Sequence, residues 1–129
     1  MIMTQEDKNI LINDLCARLT HGVIAMDSPD EPPFRIVSYD GVDFFDDGDW
    51  EHKVEQIKPY LYPLSSMTEE QKCEYDTLYT YDAIYMEPHW ECIDWLNKNH
   101  FDYRGLIEKG LAIDVSKLEI DVYTTYKRI

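Results

Sequence analysis

The sequence predicts an α+β fold: a small antiparallel sheet of short strands, with an N-terminal helix and a C-terminal helical segment packed on it. Three observations predict it. Apolar residues recur at helical spacing near the N-terminus and again beyond residue 66. Short β-forming runs broken by Asp-Gly pairs and prolines fill the interval between, and an alternating apolar and polar run closes the chain. With 129 residues, 44% of them hydrophobic and 13% aromatic, residues 1–129 make one domain with the material for a real core.

Thr4 is placed to cap a first helix through Asp7, Ile12, Leu15, Cys16 and Leu19, whose spacing makes a core-facing stripe. Arg18 and His21 suit its C-terminal dipole and Gly22 ends it; Met3 is an equally good natural start, leaving Met1 and Ile2 as an extension. Residues 23–26 form a short strand, followed by a loop in which Pro29, Pro32 and Pro33 forbid regular pairing. Phe34 to Tyr39 and Val42 to Phe45 flank Asp40-Gly41, the pattern of a type I′ hairpin, and Asp47-Gly48 offers a second turn. Trp50 to Ile57 fits a strand or a short helix.

Lys58-Pro59-Tyr60-Leu61-Tyr62-Pro63-Leu64 is extended, a rigid connector laid against the core by Tyr60 and Leu61. A helix then starts at a capping box made by Ser66 and Glu69 or by Thr68 and Gln71, and keeps its spacing through Tyr75, Leu78, Tyr79, Asp82 and Met86. Pro88 starts another, with Trp90, Ile93 and Leu96 on one face, which stops at Asn99-His100. Asp102 caps a last short helix over residues 103–109, closed by Gly110 in the left-handed conformation. Residues 111–115 leave as a strand, and Leu118, Ile120 and Val122 alternate with Glu119, Asp121 and Tyr123 as a half-buried one.

Charge narrows the choice of partner. Twelve basic residues stand against 26 acidic ones, a net charge of −14, which repels phosphate and disfavours direct binding to nucleic acid or an anionic membrane. From Asp27 to Glu51 nine acids face Arg35 alone, so this segment carries −8 of the −14. A basic protein surface or a cation fits it; a solvated loop face accounts for it equally well. Three scattered cysteines with no CxxC, no basic leader followed by an apolar run, and no stretch of membrane-spanning length point to a cytoplasmic protein outside the membrane.

Lys58-Pro59-Tyr60-Leu61, the run Ser65 to Glu70, the run Asp14 to Leu19 and the stretch Trp95 to Gly110 together resemble a family of small uncharacterised proteins of gut Bacteroidales bacteria and their phages. In that family an arginine usually stands at the place of Tyr62, and the chain usually stops sooner after Gly110. The resemblance implies a phage or mobile-element setting and brings no catalytic residues.

The chemistry-bearing constellations are few. His89 and Cys92, three apart on a helix, with Cys73 or His100, have the types of a zinc set, but no second close pair supports them. Registered on Gly48, a calcium loop over residues 43–54 would need ligands where Phe45 and Val54 stand, so an EF-hand is excluded. No nucleophile elbow accompanies the cysteines and histidines, and no glycine loop cradles phosphate, so no cofactor is expected and an enzyme is the weaker class.

His100, Tyr103 and Arg104 make an anion clamp on one reading. On the other, Asp102 caps, Arg104 pairs with a carboxylate and His100 bonds the end of the preceding helix. Tyr75, Tyr79, Tyr81 and Tyr85 cannot all face one core, so some aromatic area reaches solvent. The leading expectation is a protein-binding accessory module that meets a basic partner through Asp43, Asp46, Asp47, Asp49, Glu51 and exposed tyrosines. A nucleic-acid mimic presenting the Asp27 to Glu51 carboxylates is its specialised form. The competing class is a small enzyme or ligand-binding protein centred on His100 and Arg104.

Overall fold

A computed structural model describes residues 3–85 and 90–126, the side chains of residues 82–85 excepted. Helix α1 (Gln5–Arg18) starts where the Thr4 hydroxyl oxygen accepts the Asp7 N–H at 3.0 Å, and a single 3-10 turn over Leu19–His21 carries it to Gly22 at φ 71°. The cap and the stop are those the sequence predicts; the buried face is not. Leu11, Asp14, Leu15 and Arg18 are the buried residues, whereas Cys16 is exposed. That i, i+3, i+4, i+7 stripe is regular, but two of its four members are charged and hide it from an apolar count. Each fully buried leucine contributes about 2 kcal/mol of burial; Asp14 and Arg18 stay inside because they bond each other.

The sheet runs β4 (Glu51–Lys53), β3 (Asp43–Asp46), β2 (Phe34–Tyr39), β1 (Ile24–Met26), β5 (Lys58–Pro63), β6 (Phe101–Asp102), with β7 (Ile113–Asp114) also on β5. The fold is α+β. The first four pairings are antiparallel and the two that β6 and β7 make with β5 are parallel, so the sheet is mixed. The β2–β3 turn falls at Asp40-Gly41, but only Gly41 takes positive φ, at 100°. In place of a type I′ turn, the Asp40 carboxylate accepts the N–H groups of Val42 and Asp43 at 2.8 and 2.7 Å. Trp50 to Ile57 divides into β4 and one 3-10 turn over Val54–Gln56. The expected connector at Lys58 is an inner strand with Pro59, Tyr60 and Leu61 buried. Its two prolines are the second and the last residue of the strand, where few ladder bonds are lost.

Helix α2 (Glu69–Tyr85) begins at a reciprocal capping box: Thr68 N–H donates to Gln71 Oε1 at 2.9 Å, and Gln71 N–H donates to Thr68 Oγ1 at 3.1 Å. Helix α3 (Trp90–Lys98) buries Cys92, Leu96 and Asn97, so Trp90 and Ile93 do not share the buried face predicted for them. Met1, Ile2, Met86, Pro88 and His89 lie outside the described residues, and with His89 one half of the His89–Cys92 pair.

The short helix expected over residues 103–109 is a single turn. The Asp102 carboxylate does cap it, accepting Leu106 and Ile107 N–H at 2.9 Å each. Gly110, at φ 76°, ends it as a Schellman motif, with Leu111 N–H on Leu106 O at 2.9 Å and Gly110 N–H on Ile107 O at 3.0 Å.

The tail is not a strand. Leu118 and Ile120 are 40% and 62% exposed, and the chain enters a one-turn helix α4 (Val122–Thr125). Tyrosines anchor it: the Tyr123 hydroxyl donates to Tyr60 O at 2.6 Å and accepts Ile24 N–H at 3.1 Å, tying the tail to β5 and β1. The main core, from Leu11 and Leu15 through Ile36, Phe44 and Leu61 to Leu106, lies between α1 and the sheet. Among the described residues no helix is long and apolar enough to cross a membrane.

Candidate functional site

The acidic segment spends much of its charge on itself. His52 on β4 is stacked on Phe34 with ring centroids 4.0 Å apart, and each of its ring nitrogens meets a carboxylate. Nδ1 is 2.7 Å from Asp27 Oδ2 and Nε2 is 2.8 Å from Asp46 Oδ2. Burial pulls the His52 pKa down, but the hydrogen bonds to Asp46 and Asp27 outweigh it and leave the ring above its ordinary 6.5. Burial pushes Asp46 up, and hydrogen bonds from His52 and from the Gly48 and Trp50 amides outweigh that, leaving it below 3.8.

Asp46 Oδ1 accepts those two amides at 2.8 and 3.1 Å, and so builds the turn in which Asp49, not Gly48, takes positive φ. Asp47 accepts the Tyr126 hydroxyl at 2.6 Å. Of the five carboxylates expected to meet a partner, Asp46 and Asp47 are thus occupied inside the domain. Asp49 and Glu51 are exposed and Asp43 is half-buried.

His100, Tyr103 and Arg104 do not converge. Arg104 Nε donates to Asp14 Oδ1 at 3.2 Å, Arg104 Nη2 donates to the Tyr103 hydroxyl at 3.0 Å, and that hydroxyl donates to Asn97 Oδ1 at 2.9 Å. Arg18 completes the network. It holds Asp14 through Nε and Nη2 at 2.9 and 3.1 Å, and reaches the carbonyls of Phe101 at 2.6 Å and Leu96 at 3.5 Å. Two guanidinium groups on one buried carboxylate weld α1 to the end of α3 and to β6. This is the pairing role rather than the anion clamp.

His100 points elsewhere. Its ring stacks on Tyr123 with centroids 4.1 Å apart, and its Nδ1 is buried without a partner among the described residues. Burial first, and then the positive charges of Arg18 and His21, push its pKa down to about 3, so the ring is neutral at physiological pH.

The surface with most to offer another protein lies between α2 and α3. None of the described side chains of α2 is buried, so the helix is carried outside the core and touches the rest of the molecule chiefly through α3. Tyr75 packs on Trp95 at 5.8 Å between centroids, and Trp95 stacks on Phe101 at 5.6 Å. Beside this contact is a shallow groove of about 560 Å³, with Leu78 and Trp95 as apolar floor and Glu70 and Glu74 as acidic rim. Glu74 also accepts the Trp95 indole N–H at 3.2 Å, which fixes the ring. Tyr79, Tyr81 and Trp90 on the same two helices are 50%, 50% and 60% exposed.

The regular spacing of Tyr75, Leu78 and Tyr79 reads in sequence as a core face, and only the polar residues surrounding it on every side signal otherwise. Asp82 and Tyr85 belong to the same helix, but their side chains lie outside the described residues. No family model, no curated protein and no solved structure matches the chain.

Proposed function

We propose that the protein is a small protein-binding accessory module whose partner presents a basic segment with an apolar anchor to the groove between α2 and α3. The observation that carries this reading is a 17-residue helix with no described side chain buried, beside a groove with Leu78 and Trp95 at its floor and Glu70 and Glu74 at its rim. An amphipathic segment would place an apolar side chain over Trp95 and a lysine or arginine against the glutamates, the usual division between an apolar interface centre and a polar rim. Glu69, Glu70, Glu74 and Asp76 against Lys72 alone make a second copy of this chain a poor occupant and a cationic partner a good one.

Asp49, Glu51 and Asp43 remain a secondary acidic surface. The mimic reading is weaker, because the carboxylates of Asp27, Asp46 and Asp47 are committed to His52 and Tyr126 and do not form an open, regular array. A phage or mobile-element setting belongs to the proposal on the family resemblance, and a cytoplasmic one on three cysteines with no disulfide between them.

Affinity capture from the producing cells, eluted in rising salt, tests the reading when wild type is run beside Glu70→Lys and Leu78→Ser. A basic partner released at moderate salt from wild type and lost from Glu70→Lys is the expected result. Recovery of no partner, or equal retention by wild type and both variants, contradicts it.

A further inference from the structure

A second cleft has the opposite electrostatic character. It lies where the end of α1, β2 and the tail meet, has a volume of about 560 Å³, and is lined by Thr20, His21, Arg35, Lys98, His100 and Tyr126 among others. Among the described residues no acid lines it, in a chain where acids outnumber lysine and arginine by more than two to one. Elsewhere Arg18 and Arg104 pair with Asp14, Lys8 with Glu55 and Lys72 with Glu69. Arg35 and Lys98 meet no carboxylate among the described residues. The Arg35 guanidinium is held over the Tyr126 ring, 5.7 Å from its centroid, and its stem lies 3.8 Å from where a Cβ on Gly22 would stand.

His100 forms part of the wall at two costs. Its backbone is left-handed at φ 60°, at the end of α3 where glycine would sit without strain. Its ring is only 7% exposed, with Nδ1 unpartnered among the described residues, and an unsatisfied buried polar atom is expensive.

We propose that this cleft binds a phosphate group, free or as a monoester, with Arg35 and Lys98 taking its negative oxygens. Two cations in an acid-free concavity suit a doubly charged oxyanion better than a carboxylate. Tyr126 and Thr20 border the opening where the organic part of a monoester would lie. This site is separate from the groove between α2 and α3 and does not depend on it.

The test is titration of the full chain with inorganic phosphate and with phenyl phosphate, benzoate as control, at constant ionic strength and followed by amide NMR. Both phosphates are expected to shift Gly22, Arg35, Lys98 and His100 saturably, and benzoate is not. Lys98→Gln, a change at an exposed side chain, is expected to weaken binding about tenfold, the loss of one charge-assisted hydrogen bond, with Lys72→Gln neutral. Arg35→Gln should do at least as much; if that variant does not fold, Lys98→Gln decides. Absence of saturable shifts, equal shifts from benzoate, or unchanged affinity in Lys98→Gln overturns the proposal.

Discussion

The body of the molecule and the hairpin of α2 and α3 use charge in opposite ways. In the body, charged groups are drawn inside and satisfied: Asp14 by Arg18 and Arg104, His52 by Asp27 and Asp46, Asp102 by two backbone amides. On the hairpin, carboxylates stay in solvent beside aromatic rings, and the ion pair of Lys72 with Glu69 within α2 is too exposed to matter to stability. The density of acids along the sequence therefore misleads about where a partner would bind. The most acidic stretch is partly internal architecture, and the less conspicuous helix offers the groove.

Substitutions can break or sharpen this contrast. The largest effect is expected from Asp14→Ala, which leaves Arg18 buried without its counter-charge and frees Arg104. Removal of one partner of a buried pair costs about 3–5 kcal/mol, read as a fall in the denaturant midpoint. His52→Ala, which unstacks Phe34 and leaves Asp46 and Asp27 facing each other's charge, should cost about 2 kcal/mol.

The same triad sets a pH window. His52 is raised, so its stabilisation is complete below pH 6.5 and is lost as pH climbs through the elevated value. Asp46 is lowered, so its share is present above pH 3.8 and is lost as pH falls through the depressed value. Wild-type stability should therefore be highest between these limits, and the decline on the alkaline side should flatten in His52→Ala. A wild-type curve with the same alkaline slope as the variant would detach His52 from the two carboxylates.

Thr68→Ala removes a cap worth about 1 kcal/mol, and the loss should appear as faster exchange of the first amides of α2 with little change in the global midpoint. Glu70→Lys is the smallest in stability, within about 0.5 kcal/mol, while partner retention falls. A large stability loss from Glu70→Lys would place α2 inside the cooperative unit of the body.

Local chemistry was legible in the sequence and long-range pairing was not. Thr4, the Thr68–Gln71 box, Asp40-Gly41 and Gly110 act within five residues of themselves, and each appears where the sequence puts it. The buried face of α1 was hidden because Arg18 is stabilised by Leu96, Phe101 and a carboxylate that also binds Arg104, partners 78 to 90 positions away in all but one case. His52 carried no signal, since its two acids lie 25 and 6 residues off in a segment full of acids. His100, Tyr103 and Arg104, adjacent in sequence, were separated by the left-handed turn at His100 itself. The tail alternates like a strand, but Asp121 accepts the Tyr123 N–H at 2.8 Å and turns it into a helix instead.

Native-state hydrogen exchange on the free chain tests the division between body and hairpin most directly. Amides of β1 and β5, between the tail and the central pairings, should exchange only through global unfolding, while those of α2 open locally at a small fraction of that free energy. Protection of α2 equal to that of β5 would contradict the account, because it would make the exposed helix part of the core it is argued to stand outside.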